Sequence, residues 1–147
     1  MTPLDLTQGP PRSPREELCD VCMLPRMIDI ARAKLPGGDV GQYQIGRGMS
    51  GLVLSAFDLR AERFVEIVRD AGTDADVAMA LGRRVAVARR AVGARLGRVT
   101  VADVPADLKE WFQQFYGADL PSDRLVFDVL EVDDREMFPD HKAKEAS

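Results

Sequence analysis

The sequence predicts an all-α protein: one compact single-domain helical fold of five to seven helices, behind an extended proline-rich N-terminal arm. Apolar residues recur with a period near 3.6 along most of the 147-residue chain. Capping and helix-ending residues punctuate those stretches. The length suits a single domain, which can bury about 70% of its unfolded surface and needs no disulfide or metal for stability. The expected division is residues 1–13 as the arm, 14–138 as the helical domain and 139–147 as a disordered tail.

The arm holds Pro3, Pro10 and Pro11, with Pro14 beyond it, and Leu4 and Leu6 give it something to bury. Ser13-Pro14-Arg15-Glu16 reads as a helix start, with Ser13 as N-cap, Pro14 at the first turn and Glu16 completing a capping box. Leu18, Val21 and Cys22 would share its face, and Pro25 would break or kink it. The pattern resumes at Leu24, Ile28, Ala31 and Leu35 and stops at Pro36-Gly37-Gly38. Five glycines over residues 37–48 predict a loop, with room for a short strand at Tyr43–Ile45. A short helix is expected over Met49–Phe57. Asp58 would cap the next, whose buried face is Phe64, Ile67, Val68 and Ala71. Thr73 starts the longest predicted helix, running to Leu96 with Leu81, Val85, Ala88, Val92 and Leu96 as its stripe. Asp103 would cap a helix carrying Val104, Leu108, Trp111 and Phe115, closed by Gly117. Leu125, Val126, Val129 and Leu130 suggest a last helix, although the β-branched content of Arg124–Val132 also suits a strand.

The net charge of −4 is unevenly spread: residues 77–102 carry six arginines and no acid, whereas residues 103–147 carry five basic and twelve acidic side chains. Arg83, Arg84, Arg90 and Arg95 lie opposite the apolar stripe and form a basic face. Overall acidity, and the lack of aromatic residues among those arginines, place nucleic acid behind the other partners. No apolar run approaches the ~20 residues that cross a bilayer. With no signal-peptide pattern, the reading is cytoplasmic and not membrane-bound.

Three patterns invite chemistry. Cys19-Asp20-Val21-Cys22 has redox spacing but lacks the strand–helix setting of a redox site, and a zinc site would need two further ligands. Two buried thiols on a helix face is the plainer expectation. Gly46-Arg47-Gly48-Met49-Ser50-Gly51 has the GxGxxG spacing of a phosphate loop without a strand of useful length before it; a flexible loop leading into a helix is expected. The single histidine, His141, lies near the C-terminus, so no catalytic residue, metal set or cofactor is assigned. Asp133-Asp134 reads as a solvated pair, and the aromatic run Trp111, Phe112, Phe115 and Tyr116 as core.

The N-terminal arginines carry the functional expectation. Arg12 and Arg15 flank Ser13-Pro14, and Arg26, Asp29 and Arg32 follow at three-residue steps on one helix face. With Tyr43 they make a set suited to capturing carboxylate or phosphate, or to an ion-pair network that fastens the arm to the first helices.

The same residues resemble a known family. Pro11-Arg12-Ser13-Pro14-Arg15, then Leu24-Pro25-Arg26-Met27-Ile28-Asp29 with Ala31-Arg32-Ala33, then Gly41-Gln42-Tyr43, are similar to motifs of a bacterial family catalogued as domain of unknown function family 5069. The resemblance is strongest over roughly the first 45 residues. It implies a small, mainly helical cytoplasmic protein and carries no activity with it. The expected function is a non-enzymatic binding module for a small anionic ligand, such as a phosphorylated one, at Arg12, Arg15, Arg26, Asp29, Arg32 and Tyr43. The alternative is a homodimer or other interaction protein, and binding of nucleic acid through the arginine face comes third.

Overall fold

In the computed structural model, which describes residues 1–140, a helix buried on every side organises the chain. This is α1 (Leu24–Ala33), whose residues are all buried except Arg32. Two short antiparallel strands precede it, β1 (Glu17–Leu18) and β2 (Val21–Cys22), with Glu17 opposite Cys22 and Leu18 opposite Val21. After it come α2 (Gly48–Phe57), α3 (Ala61–Asp70), α4 (Asp74–Leu81), α5 (Arg83–Ala91), α6 (Ala106–Tyr116) and α7 (Val126–Met137). Two 3-10 turns, Gly93–Arg98 and Val101–Asp103, link α5 to α6. The fold is all-α, as the periodicity predicts.

α1 packs on α3, and α2 on α5. Their apolar faces meet α4 and α7 in one core, with Phe57, Phe64 and Phe127 among its largest fully buried side chains. A smaller cluster joins Leu6, Ile30, Ala33 and Tyr43. It forms because the first residues run along the end of α1. The Leu6 N–H donates to the Asp39 carbonyl at 2.8 Å, and the Asp39 N–H donates back to the Leu4 carbonyl at 3.1 Å.

Four local expectations are corrected. Residues 14–22 do not start a helix. Cys19 and Asp20 both adopt left-handed φ, 52° and 61°, the signature of a type I′ turn, and close a tight hairpin. A helix through this segment would leave the Val21 carbonyl without the N–H that Pro25 lacks; starting at Leu24 places Pro25 in the first turn, where that lack costs nothing. The long helix divides at Gly82, whose φ of 55° and ψ of −127° are not helical. Both halves still bury their stripe, through Val77, Leu81, Val85 and Ala88. Asp58 ends α2 in the left-handed region (φ 54°) and does not cap α3. Asp103 caps a 3-10 turn with Thr100, and α6 begins at Ala106 behind Pro105. Thr73 does cap its helix, in a reciprocal capping box with Asp76.

Residues 126–137 are helical, which settles the choice left open between helix and strand. Val126, Phe127, Val129 and Leu130 fall on the buried side of α7. No strand forms over residues 43–45. The expected tail lies outside the described residues from position 141 onward. Among the described residues, no helix is long and apolar enough to cross a membrane.

Phe127 is 1% exposed at the point where α7 joins the core. Phe127→Ala should therefore lower unfolding stability by about 3–5 kcal/mol, the usual cost of an emptied aromatic site. Urea denaturation followed by circular dichroism measures it.

Candidate functional site

Burying α1 all round places Arg26 and Asp29 in the interior, 4% and 5% exposed. A buried charge must be paired and hydrogen-bonded, or the fold bears a penalty of several kcal/mol. Helix α7 supplies one partner. Arg26 Nη1 donates to Asp134 Oδ2 at 2.7 Å and Nη2 to Oδ1 at 3.0 Å. The Tyr43 hydroxyl donates to the same Oδ1 at 2.8 Å, and the Arg26 guanidinium lies 5.4 Å from the centre of the Tyr43 ring. Burial pushes the Arg26 pKa down, but the Asp134 hydrogen bonds and charge more than reverse it, so the guanidinium stays firmly charged. Burial, then the Asp134 charge, holds the Tyr43 phenol far above its ordinary value.

The N-terminal segment supplies the other partner. The Arg12 N–H donates to Asp29 Oδ2 at 2.8 Å, and its Nη2 lies 3.1 Å from Asp29 Oδ1. Its Nη1 donates to Asp74 Oδ2 at 2.6 Å, at the start of α4. The hydrogen bond to Asp74 raises the Arg12 pKa, and the same bond depresses that of Asp74. Arg15 reaches Asp128 and Glu131 on α7, and the Ser13 hydroxyl donates to Glu131 Oε1 at 2.8 Å. Arg32 Nε donates to the Thr2 carbonyl at 2.8 Å, and Arg32 approaches Asp29 only to 3.8 Å.

All six residues singled out in the sequence (Arg12, Arg15, Arg26, Asp29, Arg32 and Tyr43) therefore enter polar contacts that tie the N-terminal segment, α1, α4 and α7 together. The acidic partners on α7 were not legible. Asp134 is 7% exposed, not solvated. Arg12, Arg32 and Arg135 also line an open groove of about 920 Å³ beside the N-terminal segment, together with the carboxylates of Glu16, Asp29, Asp74, Glu131 and Asp134.

A second hollow opens between α1, the loop before α2, α6 and α7. Its volume is about 380 Å³, within the range of small-molecule pockets. Trp111, Phe112, Phe115 and Tyr116 line it from α6, with Met49 from α2 and Leu130 from α7 opposite. Of the aromatic run Phe112 is buried and Trp111 and Tyr116 are partly buried against the core, as expected, whereas Phe115 is exposed. Their i, i+1, i+4, i+5 spacing spans more of a helix than one packing stripe, and that width is the signal that separates them from plain core. Trp111 has its indole Nε1 buried with no hydrogen-bond partner among the described residues. A buried donor left this way costs about 1–3 kcal/mol. Arg47 is exposed, with its guanidinium 6.0 Å from the centre of the Trp111 ring.

Asp133, next in sequence to Asp134, also lines this cavity. Burial, then the charges of Asp134 and Glu136, pushes its pKa above the ordinary carboxylate value. Burial, then Asp133, pushes the Tyr116 phenol up to about 12.

The other patterns take simpler roles. Cys19 is exposed at the hairpin turn and Cys22 is buried on β2, so they do not form the expected helix face. The Cys22 thiol donates to Glu17 Oε1 at 3.5 Å. In the GxGxxG segment the Ser50 hydroxyl accepts the Gly46 N–H at 3.0 Å and donates to the Arg47 carbonyl at 2.9 Å, closing the loop upon itself. Arg83, Arg84, Arg90 and Arg95 are exposed, and Arg84 donates to the Phe57 carbonyl at 2.9 Å, at the end of α2. Among the described residues, no group of three or more His, Cys, Asp or Glu side chains is placed to hold a metal ion.

The profile of the family described as a domain of unknown function, DUF5069, matches residues 8–136. That span holds the buried ionic network and the aromatic lining of the cavity, and the chain belongs to this family. No curated protein matches it.

Removing Arg26 leaves Asp134 buried and uncompensated. Arg26→Ala should cost about 3–5 kcal/mol of stability, whereas the paired replacement Arg26→Met with Asp134→Leu should cost far less. Chemical denaturation of the three proteins tests this. Asp74 has a folded pKa below its unfolded one, so its contribution is present above the ordinary carboxylate pKa and is lost as pH falls through the folded value. Asp74→Asn should therefore be less stable than the native chain at neutral pH. The gap between their melting temperatures should close below about pH 4.

Proposed function

We propose that this protein is a non-enzymatic binding module that takes a small, largely apolar molecule into the aromatic cavity beneath α6. One observation carries the reading: a hollow of about 380 Å³ lies among the rings of α6, bordered by Trp111, Phe112, Phe115 and Tyr116. Binding suits the site better than turnover. Arg26, Asp134 and Tyr43 engage one another and hold the wall of the cavity in place, which leaves them no freedom to pass protons. The two cysteines are free thiols, in keeping with the reducing cytoplasm as the setting.

A second reading keeps the anionic ligand suggested by the sequence and moves it to the polar groove. Arg135 lines that groove and makes no ion pair among the described residues, and Arg32, beside it, meets Asp29 only at 3.8 Å. A phosphate held there would be weakened by Arg135→Ala and untouched by changes in the aromatic cavity.

Trp111 is the sole tryptophan, so its emission reports directly on the cavity. The neutral probe 2-phenylethanol should give a saturable change in that emission. Leu108→Phe, which fills the cavity from α6, should weaken the response by about tenfold, as expected when roughly 1.4 kcal/mol of apolar contact is lost. A response that is unsaturable, or equal in the two proteins, would remove the cavity as the site.

A further inference from the structure

We propose that the aromatic cavity selects organic cations: a primary or quaternary ammonium group on an apolar body, with the charge seated against Asp133. The inference deepens the cavity reading and rests on it. It comes from counting which charges at the cavity are already satisfied.

Arg26 gives both terminal nitrogens to Asp134, at 2.7 and 3.0 Å. Asp133 lines the same cavity and has no ion-pair partner among the described residues. Asp134 lies behind the wall and neutralises Arg26, which leaves Asp133 as the carboxylate of α7 that meets the cavity unpaired. The other charged side chains of the lining do not redress the balance. Asp103 accepts the Thr100 N–H at 2.9 Å and the Thr100 hydroxyl at 3.0 Å, and is exposed. Arg47 also lines the cavity, but it is exposed to solvent, with its guanidinium 6.0 Å from the centre of the Trp111 ring. An incoming anion would meet the surplus carboxylate.

The walls favour the same sign. Phe112 and Tyr116 line the cavity together with Asp133, while the Tyr43 ring already meets the Arg26 guanidinium. Aromatic faces carry a negative quadrupole that attracts cations, more strongly once water is excluded. The Tyr116 phenol already registers the Asp133 charge, which raises its pKa after burial does. Burial likewise disfavours the Asp133 carboxylate itself. A carboxylate kept half-buried among rings costs stability in the free protein, and an ammonium group is the partner that relieves the cost.

Three probes of one shape separate the possibilities at neutral pH: phenethylamine (cationic), 2-phenylethanol (neutral) and phenylacetate (anionic), each titrated against Trp111 emission. The native chain should bind phenethylamine at least about tenfold more tightly than 2-phenylethanol, the range of one charge-assisted hydrogen bond, and phenylacetate most weakly. In Asp133→Asn the first two affinities should fall within about twofold of each other. This variant loses a charge that burial disfavours, so its melting temperature should equal or exceed that of the native chain, which separates lost selectivity from unfolding. Equal affinities for the amine and the alcohol, tighter phenylacetate, or a preference that survives Asp133→Asn would each overturn the cation assignment while the cavity remained the site. Failure of all three probes to alter Trp111 emission would overturn both readings.

Discussion

The arrangement depends on one constraint: α1 is buried on all sides yet carries a guanidinium and a carboxylate. An uncompensated buried charge costs several kcal/mol, far more than an exposed ion pair returns. The chain segments that neutralise Arg26 and Asp29 are therefore fixed within narrow limits. Asp134 holds α7 against α1. Arg12 draws the N-terminal segment across α1 and clips it to the start of α4. The contacts of Arg15 with Asp128 and Glu131 are more exposed and follow from that docking; they do not cause it.

The ionic network and the cavity meet in α7. Its Asp134 faces the network, while Asp133, one residue earlier, faces the aromatic hollow. Tyr43 belongs to both, since its hydroxyl meets Asp134 and its ring lines the cavity. The network thus gives the cavity a rigid wall. The opposite wall, α6, is held more lightly: Phe112 is its one fully buried residue, and the helix hangs between Pro105 and Gly117, which has a φ of 107°. Protein interiors otherwise pack to crystal-like density, so the hollow stands out as the place where a firm wall and a lightly packed helix do not close on each other.

Much of the fold was legible because it rests on local chemistry. Thr73 with Asp76, Gly117 and the Pro36-Gly37-Gly38 stop act within a few residues, and each ends or begins a helix where the sequence places it. Of the stripe Leu81, Val85, Ala88, Val92 and Leu96, all but the half-buried Val92 are buried as read, although α5 ends at Ala91 and Leu96 sits in the 3-10 turn beyond it. The helix through it is broken by the positive φ of Gly82, and the sequence marks that residue only as a weak helix former. The hairpin at Cys19-Asp20 escaped for a related reason: neither residue is the glycine that usually announces a type I′ turn, and both accept left-handed φ to let Val21 be buried.

In the candidate site, the sequence by itself determined the cast of arginines. Arg12, Arg15, Arg26 and Arg32 with Asp29 and Tyr43 stand out through residue type and spacing, which one helix face and one short segment are enough to define. Only the tertiary structure decided what they touch. Asp134 lies 108 residues from Arg26, and Asp74 lies 62 from Arg12. Nothing in local sequence marks Asp134 as buried while Asp133 beside it lines a hollow, because neighbouring positions on a helix point about 100° apart and their surroundings are set by whatever packs against each direction. The aromatic cavity belongs to the same class of property: α6 wrote its rings into the sequence, but the space they enclose exists only where α1, α2 and α7 leave it unfilled.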